Sequence, residues 1–369
     1  MFRYFAPAAA AALAHAVPQG AFSQEVAVTS AAERQAKLTK KVPLWLAQHD
    51  VPSVGIAYIE DGAISFVAHF GDQSWGYPAN DKTLYNVASL TKPITAEVVM
   101  RLVHAGRFAL DTPLIDHHVE EDVADDPRSA QLTPLLVMRH KTGFPNWRYE
   151  TEGTLRFLRD PDTEVGYSGE GYEWMMKAAA SAAGEDFEKL AETYLFEPAD
   201  MPTTSYTLSS DFPGRLAVPY KAGEAPYNVV RREPSASDDL RTTPREYANF
   251  MLSVFEGDDV SKELRAQQFS IADDVRYRAA CKGEERADFC PVRQGWGLGW
   301  TIYEWDDRRI FEHSGGDHGE RTLALYDPDA RRGMVILTNG ANGFDVIRKI
   351  VDVLDDDERL IAFINAPFG

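Results

Sequence analysis

The feature that most narrows the fold of this 369-residue chain is where its strand-forming segments lie. Two β-rich runs, 54–59 and 63–70, stand near the N-terminus, joined through Asp61-Gly62, a dipeptide suited to the positive φ angles of a tight hairpin turn. Four more, 299–304, 309–313, 322–326 and 333–338, stand near the C-terminus, with turns at Asp306-Asp307 and Asp327-Pro328-Asp329. Between them, helical patterns at 95–105, 132–140, 172–183 and 186–195 alternate with loops. Short connections between successive strands favour antiparallel neighbours over crossovers. The expectation is therefore an α/β protein of the α+β kind: one antiparallel sheet flanked by N- and C-terminal helices, with a mainly helical inserted subdomain. The sheet part is expected over 24–88 and 290–369 and the helical part over 89–289, with 255–293 a charged, irregular insertion. Ser30 and Glu33 have capping-box spacing and open an amphipathic helix that Pro43 should kink or divide. A last helix is expected from Asn342 through Leu354.

The formal charge of -19, with acidic runs such as Glu120-Glu121-Asp122, repels phosphate backbones and anionic headgroups, so nucleic-acid and membrane-surface partners are not expected. The first residues, Met-Phe-Arg-Tyr, an alanine-rich stretch over 5–17 and Ala21-Phe22-Ser23 before Gln24, read as a cleavable secretory leader over 1–23. No later stretch approaches the roughly 20 apolar residues of a membrane helix. No cysteine follows the cleavage point to carry a lipid, so a periplasmic or secreted protein without stable membrane insertion is expected. Cys281 and Cys290, the only cysteines, are expected to form one loop-closing disulfide. His117-His118 and His318 lack any metal-ligand spacing, and neither a metal nor a cofactor is expected.

Three short elements carry possible chemistry. Asn86-Val-Ala-Ser89-Leu-Thr-Lys92 contains a Ser-x-x-Lys spacing, which on a helix puts both side chains on one face. The serine can act as nucleophile if the lysine or another base takes its proton, and at a helix N-terminus its own N–H is free to face an oxyanion. Gly166-Tyr167-Ser168-Gly169 displays a tyrosine on a loop, which can titrate as a base or simply pack. Phe311-Glu-His313-Ser314-Gly315-Gly316 ends a strand, where paired glycines admit a substrate backbone and the Gly316 N–H can serve as a second oxyanion donor. A strand-end histidine there is, taken alone, more often structural.

Together, and in this order, these elements resemble the serine β-lactamases, DD-peptidases and related esterases, most of all the class C branch. Leu135 to Pro145, including His140 and Gly143, Gly297-Leu-Gly-Trp300, and Tyr326-Asp-Pro328 followed by Val335 to Asn339 extend the similarity over nearly the whole mature chain. The resemblance implies Ser89 as the acylated nucleophile, Lys92 and Tyr167 as the groups that handle its proton, and the Ser89 and Gly316 N–H groups as the oxyanion hole. His140 is then a scaffold residue. The chain departs from the pattern twice. Gly169 stands where the family usually has an asparagine that bonds the lysine and a substrate carbonyl, with Ser168 or Glu170 as partial substitutes. His313 stands where a lysine binds the substrate carboxylate, and with an ordinary pKa near 6.5 it offers at most a partial charge. Arg321 is a candidate to restore that carboxylate contact, and Gly315 and Trp147 are candidates to border the substrate. Trp147, Trp296, Trp300 and Tyr172 are candidates to wall an acyl pocket, with core packing the commoner fate of each. The expected function is hydrolysis of carboxylic esters or small amides through acyl-Ser89. The alternatives are a D-amino-acid peptidase, a β-lactamase, or a penicillin or peptidoglycan sensor that is acylated without turnover. The expected partner is a small ester, amide or peptide.

Overall fold

The structure, a computed structural model, describes Met1 and residues 29–367; the leader expected over 1–23 lies, Met1 apart, outside the described residues. The first hairpin pairs β1 (Ser53–Glu60) with β2 (Ala63–Ser74) through Asp61 and Gly62, both at positive φ (53° and 71°). After the two-residue β3 (Tyr77–Pro78) come β4 (Tyr85–Asn86) and β5 (Arg241–Thr242), which pair with each other in a separate two-stranded sheet. The chain then returns with β6 (Arg293–Trp296), β7 (Thr301–Glu304), β8 (Arg309–Gly316), β9 (Arg321–Asp327) and β10 (Arg332–Thr338). The main sheet is antiparallel, in the order β3-β2-β1-β10-β9-β8-β7-β6. The first long strand thus lies beside the last, Val54 opposite Thr338 and Ile59 opposite Gly333.

In chain order the helices are α1 (Ala31–His49), α2 (Thr91–His104), α3 (Pro134–Met138), α4 (Gly169–Ala183), α5 (Phe187–Ala191), α6 (Pro244–Phe255), α7 (Lys262–Gln268), α8 (Gly343–Leu354) and α9 (Glu358–Asn365). They cover both faces of the sheet, which is why β1 is apolar almost throughout rather than alternating. Its even-numbered residues Val54, Ile56 and Tyr58 join the core formed with α1, α8 and α9, whereas Ala57 and Ile59 join the core formed with the central helices. A mixed α/β protein with one antiparallel sheet is what the strand distribution implied.

Four local expectations need correction. Helix α1 carries the Ser30–Glu33 capping box but runs unbroken through Pro43. Leu38, Val42 and Leu46 are buried at four-residue spacing, and Arg34 is anchored to Val353 O (2.6 Å) and Asp356, so both halves are held to one seat and burial offsets the roughly 3 kcal/mol cost of an interior proline. The stretch 255–293 holds α7 and leads into β6, whose short, Gly-containing sequence carries no strand pattern. The pattern at 186–195 divides into α5 and a wide turn over Glu192–Phe196. After α8 the chain forms α9, whose Leu360, Phe363 and Ile364 complete the outer core. Cys281 and Cys290 form the expected disulfide, with Cα atoms 5.6 Å apart.

Helix α2 is the axis of the inner core: of its fourteen residues only Val103 and His104 are not buried. A fully buried carboxylate, Glu97, receives Arg101 Nε (3.0 Å), Arg265 Nη1 (2.7 Å) and Arg265 Nη2 (3.0 Å). Burial by itself raises the Glu97 carboxyl, but the guanidinium groups of Arg265 and Arg101 outweigh it and hold the group below its usual 4.5. A carboxylate depressed in the folded state stabilises above its unfolded pKa, and the contribution is lost as pH falls through the folded value. We predict that Glu97→Ala lowers the unfolding free energy at pH 7 by about 3 kcal/mol, since two largely buried guanidinium groups lose the carboxylate they share, Arg101 keeping only the half-exposed Asp259 as an anionic partner (2.9 Å). Urea titrations at pH 7 and below 4.5 check this: the difference from the parent protein should shrink at the lower pH.

Candidate active site

The turn before α2 is held in an unusual shape. Ala88 sits at φ +47°, a left-handed conformation that a residue with a side chain seldom adopts, and the Ala88 N–H donates to Asn86 Oδ1 (2.9 Å) while its carbonyl accepts from Thr91 Oγ1 (2.6 Å). Ser89 follows in a single 3₁₀ turn, Ala88–Leu90, that runs directly into α2. One helical step on, Lys92 Nζ lies 3.3 Å from Ser89 Oγ. The lysine has no exposed surface. Its Nζ donates to Ser237 O (2.9 Å) and lies 4.7 Å from the centre of the Tyr167 ring, 5.9 Å from that of Tyr172 and 6.0 Å from that of Trp147. One carbonyl, one hydroxyl and three aromatic faces replace its water.

Tyr167 is half-buried and packs on His140, ring centres 4.3 Å apart, with Trp296 beneath both (4.3 Å from His140, 5.7 Å from Tyr167). His140 Nδ1 accepts the Ser168 N–H (3.2 Å), so its proton rests on Nε2, and burial together with Lys92 and His313 keeps the ring neutral. On the other side of Ser89, β7 pairs with β8 no further than Glu312, so His313 to Gly316 run on as a free edge. Gly315 lets that edge reach the serine: a Cβ there would overlap Thr322 Oγ1 and Val87 O and lie 3.1 Å from Ser89 N. Thr322 Oγ1, on the next strand, donates to Val87 O (2.9 Å) and ties the turn to the sheet. Ser89, Lys92, Tyr167, His313 and Gly315 are thus brought together between the edge of β8 and the helical part, with Gly316 next along the strand.

The comparisons with known proteins identify the family. The Beta-lactamase family profile matches residues 22–356. The chain belongs to the beta-lactamase family. Penicillin-binding protein 4 of Amycolatopsis lactamdurans is 23% identical over 339 residues, covering 83% of this chain and 87% of that protein. Esterase EstB of Burkholderia gladioli is 26% identical over 311 residues, covering 67% and 76%. The crystal structure of D-alanine carboxypeptidase AmpC from Burkholderia cenocepacia superposes with a TM-score of 0.70 at 18% identity, covering 88% of this chain and 99% of that one. The family is one of serine hydrolases, with peptidases, esterases and β-lactamases among its members, and it acts on small esters, amides or peptides.

Within this beta-lactamase framework the two departures acquire a physical reading. A Cβ on Gly169 would stand 3.1 Å from Trp147 Cη2 and 3.2 Å from both Asn146 O and Ser237 Oγ, so the space for a longer side chain is already filled. The Ser237 carbonyl takes the lysine instead. Its loop is clamped by Glu173, which accepts from Ser237 Oγ (2.6 Å), Ser235 Oγ (2.8 Å) and the Ala236 N–H (3.2 Å). Ser168 and Glu170 do not stand in for the missing amide. Ser168 Oγ caps α4, accepting from Gly171 N (3.2 Å) and donating to Pro145 O (2.8 Å), and Glu170 is ion-paired with Arg148 (2.7 Å).

His313 carries no charge rather than a partial one: burial, reinforced by Lys92, pulls it down to about 3. Its Nδ1 faces Ser314 O at 2.8 Å and must donate, which leaves Nε2 as an acceptor. Arg321 does not face a substrate carboxylate; its guanidinium donates to the carbonyls of Asp317 and Glu320 and packs over Phe344, bracing the turn between β8 and β9. Trp147 borders the cleft near Lys92, Trp296 forms its floor against His313 (5.6 Å), and Trp300 belongs to the core with Phe250 and Phe255. Tyr172 is wholly buried beside His140. The sequence reading missed Ser237 and Glu173, because the Ser237–Lys92 contact joins positions 145 residues apart and no periodicity signals it. A cavity of about 540 Å³ between α1 and β2, lined by Leu46, Trp75 and Tyr220 among others, shares no residue with this cleft.

The neutral His313 has a measurable consequence. Between pH 6.5 and about 3 the unfolded chain binds a proton at this position that the folded chain refuses, so stability must fall as pH drops through that window. His313→Asn removes the difference in proton uptake. The decline of the urea midpoint between pH 6.5 and 4 should be shallower in the variant than in the parent; an equal or steeper decline would contradict a neutral His313.

Proposed function

We propose that the protein hydrolyses carboxylic esters and small amides through an acyl-Ser89 intermediate, with esters the better substrates. The observation that carries this reading is the 3.3 Å approach of a wholly buried Lys92 Nζ to Ser89 Oγ, under the Tyr167 ring and beside the free edge of β8. In the first half-reaction Ser89 Oγ bonds to the substrate carbonyl carbon as its proton passes to the Lys92–Tyr167 pair, and the oxyanion is held by the Ser89 and Gly316 N–H groups. Collapse breaks the bond to the leaving group, which takes that proton, with Tyr167 the group placed to deliver it. Water then repeats the sequence on the acyl-enzyme and frees the acid.

Esters rank first because neither candidate for binding a substrate carboxylate supplies a fixed cation: His313 is neutral and Arg321 is turned to backbone carbonyls. Gly169 also lacks the amide that would grip a peptide-like acyl group. The same absence favours a second reading, a protein acylated by penicillin-like or cell-wall compounds that releases them slowly, in keeping with its relative named as a penicillin-binding protein. Export to an oxidising compartment is supported by the Cys281–Cys290 disulfide.

The test is p-nitrophenol release from a short-chain p-nitrophenyl ester. Steady turnover should fall by about 10³-fold or more in Ser89→Ala, and Tyr167→Phe should lower kcat by about 10²-fold or more. Equal rates in the parent and Ser89→Ala would remove Ser89 as the nucleophile. A single stoichiometric burst in the parent would select the slow-release reading, and an unchanged rate in Tyr167→Phe would leave Lys92 alone with the proton.

A further inference from the structure

The tripeptide Ser235-Ala236-Ser237 is gripped between two helices. From α2, Lys92 Nζ donates to Ser237 O (2.9 Å) and Thr95 Oγ1 to Ala236 O (2.6 Å), so both carbonyls face the helix that carries the lysine. The chain then stays on α2, where the Leu240 N–H donates to Thr91 Oγ1 (3.2 Å). From α4, a single side chain takes the opposite groups of the tripeptide. Glu173 Oε1 accepts from Ser235 Oγ (2.8 Å), Ser237 Oγ (2.6 Å) and the Ser237 N–H (3.2 Å), and Oε2 accepts the Ala236 N–H (3.2 Å). All three residues of the tripeptide are buried and Glu173 is partly so, a setting in which bonds to a charged acceptor are strong.

Gly169 and Glu173 are four residues apart and therefore share one face of α4. The loop lies on that face, since a Cβ on Gly169 would stand 3.2 Å from the same Ser237 Oγ that Glu173 holds. Helix α4 begins directly after Tyr167 and its N-cap Ser168, and the centre of the Tyr167 ring is 4.7 Å from Lys92 Nζ. The contacts thus close a ring: Lys92 to the Ser237 carbonyl, Ser237 to Glu173, one turn of helix back to Tyr167, and Tyr167 to Lys92. The two groups that handle the Ser89 proton are set against each other by one side chain whose own bonds go to the loop.

Resting on the acyl-Ser89 reading, we propose that Glu173 is a positioning residue for proton transfer: it fixes the Ser237 carbonyl, and through it Lys92 Nζ, at the distance from Tyr167 and Ser89 that acylation requires. Its contribution is geometric. Three of the four bonds end on Oε1, which the oxygen of a glutamine amide reproduces at the cost of the Ala236 N–H alone, whereas an aspartate falls one methylene short of the loop.

The kinetics of p-nitrophenyl acetate hydrolysis in Glu173→Ala, Glu173→Gln and Glu173→Asp test this. Glu173→Ala should lower kcat by about 10²-fold with KM within about threefold of the parent. Glu173→Gln should recover kcat to within about fivefold of the parent, while Glu173→Asp should stay near the alanine variant. A merely structural residue would lose stability without this split between kcat and KM. An unchanged kcat in Glu173→Ala would overturn the proposal, and so would a rise in KM alone. Full activity in Glu173→Asp with loss in Glu173→Gln would assign the effect to charge and overturn it equally. If Glu173→Ala does not fold, Ser237→Ala, which removes one bond and keeps the carbonyl, should lower kcat by about threefold or more; an equal rate there would again contradict the assignment. The crystal structure of Glu173→Ala, or of Ser237→Ala in its place, gives a readout independent of turnover. Ser237 O should move beyond about 3.5 Å from Lys92 Nζ, and retention of the 2.9 Å contact would overturn the proposal. Equal ester turnover in the parent and Ser89→Ala would instead sink the acyl reading, leaving that distance to decide whether Glu173 places Lys92.

Discussion

The ammonium group of Lys92 has no exposed surface, and most of the site can be understood as what is needed to keep it there. Removing an ammonium ion from water costs several kcal/mol even after the surroundings relax, so each direction around Nζ must offer something polar or polarisable. The offers come from four segments far apart in the chain: the Ser89 turn, the Trp147 loop, the Tyr167–Tyr172 stretch and the Ser237 loop. Each of these is fixed in turn by something behind it. Glu173 clamps the Ser237 loop, His140 supports Tyr167, and the Ser168 cap sets where α4 begins. Ser89, one helical step from such a lysine, is held in turn by the bonds of Asn86, Thr91 and Thr322 to the Val87-Ala88 backbone.

That arrangement depends on closure of the sheet. Ser53 Oγ and the Ser53 N–H both bond to Asn339 Oδ1 at 2.8 Å, across 286 residues of sequence, where the N-terminal hairpin meets the last strand. Until β1 and β10 pair, α2 has no inner face to pack against and the β8 edge has no serine beside it.

The same division between local and distant contacts decides what could be read from the sequence. The hairpin at Asp61-Gly62, the Ser30–Glu33 capping box and the Ser89–Lys92 pair were all legible, because each is written within four residues. The disulfide was legible because only two cysteines exist. By contrast, Ser237 has no neighbour in sequence that announces a lysine-binding carbonyl, and Arg321 reads as an available cation until its guanidinium is seen against the Asp317 and Glu320 carbonyls. Pro43 shows the converse error: a strong local signal for a break was overruled by an apolar stripe that binds both halves of α1 to the sheet. His313 was assigned too much charge, since the burial that neutralises it is a property of the fold and not of the motif.

The two glycines that border the cleft differ in kind, and the difference bears on specificity. Gly315 is a matter of approach, because any side chain there would overlap Thr322 and Val87 and lift the β8 edge away from Ser89. At Gly169 the room has been taken over by Trp147, Asn146 and Ser237, so restoring an amide at that one position would displace the loop that now holds Lys92. The left-handed conformations of Ala88 and His140, on either side of the cleft, show how firmly the surroundings dictate this local shape, since such conformations persist only where packing over-determines them. A change of substrate preference in this chain is consequently a change of several residues at once. The 235–239 loop is the segment through which it would act, because it supplies the carbonyl that holds the lysine.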